Sequence, residues 1–354
     1  MGLPLFNARL ANDMYQPLLD KIKAKVTHWT NHCLRYAGKA TLINSVIFGL
    51  NNFWGASVLL RKGVVKKITK LCKDFVWGIE EGSRRHVFMG WKSLSKPRQA
   101  GGIGIKEVLS WNGAQMVHWL WKLVNRPESI WAKWVHHYIL KGTDFCLAST
   151  SVSHSWYWNN VVKVKDFLVT REGSQSLATK WILDCTKHGK FKAGMMYELI
   201  RDSYDLVHWA PLVFDKAVVP KHSFMGMMAL QNSLPTIDNL TLRGLPLVNR
   251  CLLCCSQGED LEHLFFSCPF SSLVWHKISS WLQVPYSADL AQVVNWFQAF
   301  LKGKDHISCG KRAGFLATLY YIWNERNARV FKGTMSSSEA ICIKIKFVTR
   351  CRMY

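Results

Sequence analysis

Cys251-Leu-Leu-Cys254, followed by His263-Leu-Phe-Phe-Ser-Cys268, sets three cysteines and a histidine into eighteen residues as Cys-x2-Cys-x8-His-x4-Cys. A two-residue gap lets one tight turn present both sulfurs of a cysteine pair to one metal ion, and a tetrahedral Zn²⁺ requires four such donors. Thiolate and imidazole suit zinc better than the all-oxygen sets preferred by Mg²⁺ or Ca²⁺. With all four positions filled by Cys251, Cys254, His263 and Cys268, no coordination site is left for water or substrate, so the expected site is structural. A redox pair at 251–254 with a core histidine at 263 is the plainer alternative, and Cys255 is the rival ligand beside Cys254. Leu261, Leu264, Phe265 and Phe266 are interleaved with the ligands and would supply the small core that a metal staple stabilises.

Outward from this motif, the 354-residue chain is long enough for two or three domains. It is 49% hydrophobic and only 19% charged, which excludes a disordered polymer. Forty-six Lys and Arg against 23 acidic residues give a formal charge of +23, a surplus that attracts polyanions; nucleic acid is the expected partner and an acidic protein the alternative. Eleven cysteines, odd in number and scattered outside 251–268, do not form a disulfide framework and imply a reducing, intracellular setting. No run of about eighteen apolar residues is present, so no membrane span is expected.

Apolar spacing predicts helices over 16–32, 37–50, 64–77, 107–125, 128–140, 222–232, 236–242, 271–282, 291–301 and 312–329. In the third, Val64, Val65, Ile68, Leu71, Cys72, Phe75 and Val76 are expected on one face, and Lys66, Lys67, Lys70 and Lys73 fall on the other. That lysine face, with Arg84 and Arg85 nearby, serves either simple solvation or contact with phosphates. Trp111, Trp119, Trp121, Trp131 and Trp134 lie at helical spacing and are expected mainly in the core, with base stacking as the other use. A strand-like run is expected within GSRRHVFMGW at 82–91. Gly101-Gly-Ile-Gly104 lacks both phosphate-loop frames and reads as a turn. Ser149–Ser155 is a polar linker candidate, and the basic tail from Lys344 carries no cap. No internal repeat is visible. The expected fold class is mainly α: a helical region followed by a small zinc-stabilised helical module.

These residues together resemble a known family. Val219-Pro-Lys-His-Ser-Phe224, Leu234-Pro-Thr236, the Cys251–Cys254 pair, Glu262-His-Leu-Phe-Phe-Ser-Cys268 and Val274-Trp275 resemble the reverse-transcriptase zinc-binding domain of plant non-LTR, LINE-type retrotransposons. Gly2-Leu-Pro-Leu5, Tyr36-Ala-Gly-Lys-Ala-Thr-Leu-Ile-Asn-Ser-Val46, Phe53-Trp54, Lys96-Pro97, Gly101–Ile105 and Trp111-Asn112 are similar to the segment downstream of the polymerase palm. Ile322-Trp-Asn-Glu-Arg-Asn-Ala-Arg-Val-Phe331 is similar to the stretch after the zinc module. Met227 departs from the family, which usually has Trp there.

The resemblance implies a thumb-like helical region over 1–140, a linker and mixed segment over 141–210, the zinc-binding domain over 211–280 and a helical basic segment over 281–354. It also implies a catalytic Asp-Asp pair in the palm. This sequence has no such pair, and endonuclease and RNase H segments are not expected in it. Glu262 stands beside His263 as a general base would, but the closed ligand set and the wrong frame argue against a zinc hydrolase or deaminase. The expectation is a non-catalytic protein with a structural Zn²⁺ that binds RNA or DNA with low sequence specificity. An intact reverse transcriptase is a further partner, and the nucleus is the location that the resemblance implies. The alternative is a protein-interaction module or a relic fragment.

Overall fold

The computed structural model describes residues 13–30, 36–79, 87–151, 154–301, 303 and 305–353; Gly2–Leu5, Arg84 and Arg85 lie outside the described residues. The fold is mainly α, and the described strands are the short pair Thr186–Lys187 and Lys190–Phe191. Between them His188 and Gly189 both take positive φ, at 53° and 65°, as a two-residue hairpin turn of the right twist requires. Two compact units divide the chain. One comprises Met1–Leu34, Gly38–Arg85 and Ile105–Ser203, the other Arg35–Ala37, His86–Gly104 and Tyr204–Tyr354.

In the first unit the organising element is the Val108–Asn125 helix, whose residues Val108, Trp111, Ala114, Met116, Val117, Leu120, Trp121 and Leu123 are buried. It packs against Phe48–Gly55, Trp156–Glu172, Gln175–Asp184 and Ala193–Ile200. A helix buried on so many sides must satisfy its polar groups internally. Asn112 does so: its Oδ1 accepts from Leu60 N at 2.7 Å, and its Nδ2 donates to Gly55 O and Val58 O, both at 2.9 Å. Trp111, Trp119 and Trp121 donate their indole N–H to Asn52 Oδ1, Ala56 O and Thr186 Oγ1, which is how Trp is accommodated inside a protein. Trp134 behaves differently and stands exposed.

In the second unit the 27-residue helix His306–Lys332 is the spine. Pro220–Leu230, Pro269–Leu282 and Ser338–Met353 pack on it. Gly226 permits the first contact, since a Cβ there would lie 2.6 Å from Leu316 Cδ2. Met227, where the sequence departs from the pattern it resembles, is fully buried. Trp275, Phe297 and Phe315 form the aromatic centre, with ring centroids 5.6 and 5.1 Å apart. Asp289 and Asp305 cap Leu290–Phe300 and the spine by accepting backbone N–H groups of the first turn. The basic tail from Lys344 lies within the Ser338–Met353 helix, and at the start of that helix Ser337 Oγ accepts from Ala340 N.

Residues 86–104 belong to this second unit. Where a strand-like run is expected, residues 87–91 contain none; Gly90 is extended and the Trp91–Ser95 helix begins there instead. The turn at 101–104 is present. Gly101 and Gly104 have φ of +84° and +75°, and a Cβ at Gly102 would meet Lys96 O at 2.0 Å, so only glycine fits. Gln231 Nε2 donates to Gly101 O and fastens the turn within its unit.

Candidate metal centre

The first arm of the site is the turn Cys251–Gln257. Cys251 N donates to Gln257 O at 2.7 Å, and Cys255 N donates to Cys251 O at 2.8 Å. Cys255 takes φ of +55°, which reverses the chain just after the second sulfur. Its side chain is exposed and outside the cluster, so the rival ligand is turned away. Leu253 and Cys254 direct backbone N–H groups at Cys251 Sγ, and Ser256 and Gln257 direct theirs at Cys254 Sγ. Ser256 Oγ also donates to Cys254 Sγ at 3.1 Å.

The second arm begins at Asp260, whose Oδ1 accepts from His263 N at 2.7 Å. Over His263–Ser267 the helix widens into a π turn closed by Cys268 N donating to His263 O at 2.7 Å. That turn sets the four-residue gap between His263 and Cys268 so that both side chains reach the same point. Cys268 then precedes the Pro269–Leu282 helix, and the N–H groups of Phe270 and Ser271 point at its sulfur. Pro269 at the first helical position has no N–H to satisfy.

Ligand atoms of Cys251, Cys254, His263 and Cys268 all lie within 4.8 Å of one another. Cys251 Sγ and Cys268 Sγ are 4.0 Å apart, and Cys254 Sγ lies 3.3 Å from His263 Nε2. Zinc–sulfur bonds of about 2.3 Å at tetrahedral angles place sulfurs roughly 3.8 Å apart, so the group has the size of a zinc cage. Among the described residues no carboxylate joins the cluster. Cys251, His263 and Cys268 are buried and Cys254 is partly open. The electrostatics favour charge separation. The Cys251 hydrogen bond pulls the Cys268 thiol below its ordinary range. At Cys254 burial acts upward, but Ser256, the turn N–H groups and His263 outweigh it and lower the thiol. At His263 burial acts downward, and the contacts with Cys254 and Cys251 outweigh it and raise the imidazole. Cys251 is raised by its hydrogen bond to Cys268 and by burial.

A surrounding set of charges holds the cage, and it was not legible as chemistry in the sequence. Glu259 is 0% exposed and receives Arg326 on both oxygens, from Nε at 3.1 and 3.0 Å and from Nη2 at 2.6 Å. Its Oε1 also accepts from Ile237 N, and its own N–H donates to Asn249 Oδ1. One helical turn on, Arg329 donates to Leu252 O and Leu253 O inside the Cys251–Cys254 turn, while its Nε pairs with Glu325 at 2.9 Å. Its guanidinium also lies over the Phe270 ring at 4.6 Å. The charged residues of Ile322–Phe331 thus bolt the turn to the spine. Glu262, the residue placed like a base, accepts from Leu290 N at 3.2 Å at the start of the Leu290–Phe300 helix.

The predicted phosphate contacts lie in the first unit. On the Lys62–Trp77 helix Val64, Ile68, Cys72, Phe75 and Val76 are buried; Lys66, Lys67 and Lys70 are exposed and Lys73 is half-buried. No described helix is long and apolar enough to cross a membrane.

Residues 191–275 match the family described as zinc-binding in reverse transcriptase. The chain is 22% identical over 129 residues to an Arabidopsis thaliana protein named "Putative ribonuclease H protein". That match covers 36% of this chain and 21% of the relative, so the chain spans about a fifth of that relative's length. It is 21% identical over 136 residues to an uncharacterized mitochondrial protein of Arabidopsis thaliana, covering 36% of this chain and 88% of the relative. The domain match encloses all four clustered side chains and the turns that orient them. Residues 191–275 are thus similar to the zinc-binding domain of reverse transcriptases, and the clustered Cys251, Cys254, His263 and Cys268 fall inside that match.

Proposed function

We propose that this chain is a non-catalytic nucleic-acid-binding protein whose second unit is held by a structural Zn²⁺ on Cys251, Cys254, His263 and Cys268. The observation that carries the metal assignment is the closed set of three sulfurs and one imidazole within 4.8 Å. Zinc bound there cross-links two turns and offers no open position for a reactant. Glu262, engaged at Leu290, has no place in a hydrolytic step. In this reading residues 1–140 form a thumb-like region and 211–280 the zinc-binding domain. The protein works in the nucleus, on RNA or DNA, alone or with an intact reverse transcriptase.

Support for the nucleic-acid partner comes from charge. Lys66, Lys67 and Lys70 stand free of the core on one helix face, in a chain of formal charge +23. Lys73 sits at the edge of that face, and Arg84 and Arg85 continue the basic sequence beyond the described residues. Such contacts meet phosphates and carry little base readout. The test is affinity for RNA and DNA oligonucleotides between 50 and 200 mM salt. Each phosphate contact contributes about 0.9 to the slope of log affinity against log salt on a duplex. Replacing Lys66, Lys67 and Lys70 by Gln is expected to flatten the slope by about 2 to 3. A wild-type affinity that does not respond to salt sinks the reading.

A further inference from the structure

We infer that an exposed aromatic ladder on the Ile130–Leu140 helical segment is a stacking platform for single-stranded nucleic acid. The inference rests on the nucleic-acid reading above and adds a site to it. Ile130, Trp134 and Tyr138, spaced by one helical turn, are 90%, 50% and 62% exposed. The other tryptophans nearby face inward. Trp119 packs on Trp131 at 4.9 Å and on Tyr157 at 5.7 Å, and its indole is anchored to Ala56 O. Trp134 and Tyr138 instead stand side by side at 6.0 Å with planes 37° apart, and His137 meets Tyr138 at 4.7 Å.

The rings border an open cleft of about 660 Å³, lined also by Pro127, Glu128, Lys133 and His136. From 122 to 141 the sequence carries Lys122, Arg126, Lys133 and Lys141 against the single acid Glu128, which Lys133 pairs at 2.8 Å. Lys133 is the cation that lines the cleft, while Lys122 lies over Trp119 and Arg126 over Trp121. Exposed flat faces in a basic stretch suit unpaired bases, since every base presents a π face. A duplex hides those faces in its stack. A protein partner would use the same aromatics; the surplus of cations over acids in this stretch is what selects a polyanion. The segment 135–140 is also wound as a π turn, a local widening that is common at functional positions.

The experiment uses the full chain and a fluorescein-labelled single-stranded oligo-dT, with a duplex of equal length beside it. Trp134→Ala with Tyr138→Ala is expected to weaken single-strand binding by tenfold or more, from loss of base stacking. Duplex binding and the salt slope should be unchanged, because no ionic contact is removed. Trp134→Phe with Tyr138→Phe should restore most of the affinity. An alanine variant that keeps its helix content and binds the single strand like wild type overturns the inference and leaves the earlier reading standing. A wild-type protein that binds neither probe overturns that reading, and this inference with it. A wild-type dimer that the alanine variant dissociates makes the face a protein interface and also overturns the inference.

Discussion

At Asn112 the first unit buries a neutral amide whose three hydrogen bonds run to backbone partners at 2.7 to 2.9 Å. The second unit buries whole charges: Glu259 with Arg326 and Glu325 with Arg329 near one end of the spine, and Asp215 with Arg312 at 2.7 Å nearer the other. A neutral network loses a hydrogen bond or two when one partner goes. A buried ion pair leaves an uncompensated charge, and breaking it costs far more than making it gained. The second unit adds the cluster of Cys251, Cys254, His263 and Cys268 to that network, and Arg329 donates to the carbonyls of Leu252 and Leu253 in its first turn. The contrast separates a neutral buried network from one built of paired charges beside a cluster of three cysteines and a histidine.

Metal removal should break the comparison most visibly. Chelation, or Cys251→Ser or His263→Ala, is expected to unfold the region around 236–268 while the first unit keeps its structure. Structural zinc contributes an apparent binding free energy of roughly 10–16 kcal/mol, more than a small module's core supplies. Amide hydrogen exchange resolved by segment checks this; equal protection of 251–268 with and without chelator would show that the cluster does not depend on metal.

Next in size is the ion pair. Glu259→Gln leaves Arg326 buried without its counter-charge and should cost about 3–5 kcal/mol in urea unfolding, with weaker zinc retention. If the loss is under about 1 kcal/mol, the charges are not what couples spine to knuckle. Asn112→Leu is the matching change in the first unit. It orphans Leu60 N–H, Gly55 O and Val58 O and should cost about 2–3 kcal/mol. Its effect on zinc content should be nil, and zinc loss in this variant would erase the distinction drawn between the units.

The smallest expected effect is at the surface. Lys277 hydrogen-bonds Glu339 and holds its carboxyl at about 2, below the usual 4.5. A folded value below the unfolded one gives stability that is present above about 4.5 and lost as pH falls toward 2. Because the pair is exposed, Glu339→Gln should lower the melting temperature only slightly at pH 7 and not at all near pH 2. A difference that persists at pH 2 would place the cause in packing rather than charge.

Much of this molecule was written locally. The 3.6-residue spacing of Val64, Ile68, Cys72 and Phe75 set a helix and its lysine face, because an apolar stripe has one way to leave water. The two-residue and four-residue gaps in the ligand motif set which sulfurs and which imidazole could share a point, because turn geometry is a property of a few neighbouring residues. Tertiary structure decided the rest. Periodicity could not say that Trp111 and Trp121 go inside while Trp134 stays out, since each sits at helical spacing in its own helix and they differ in what packs opposite. Nor could it say that 86–104 joins the second unit, or that Glu259 meets Arg326 across 67 positions of sequence. Those outcomes depend on which surfaces arrive together, and a burial that satisfies one charge with another is visible only once both ends of the chain are in place.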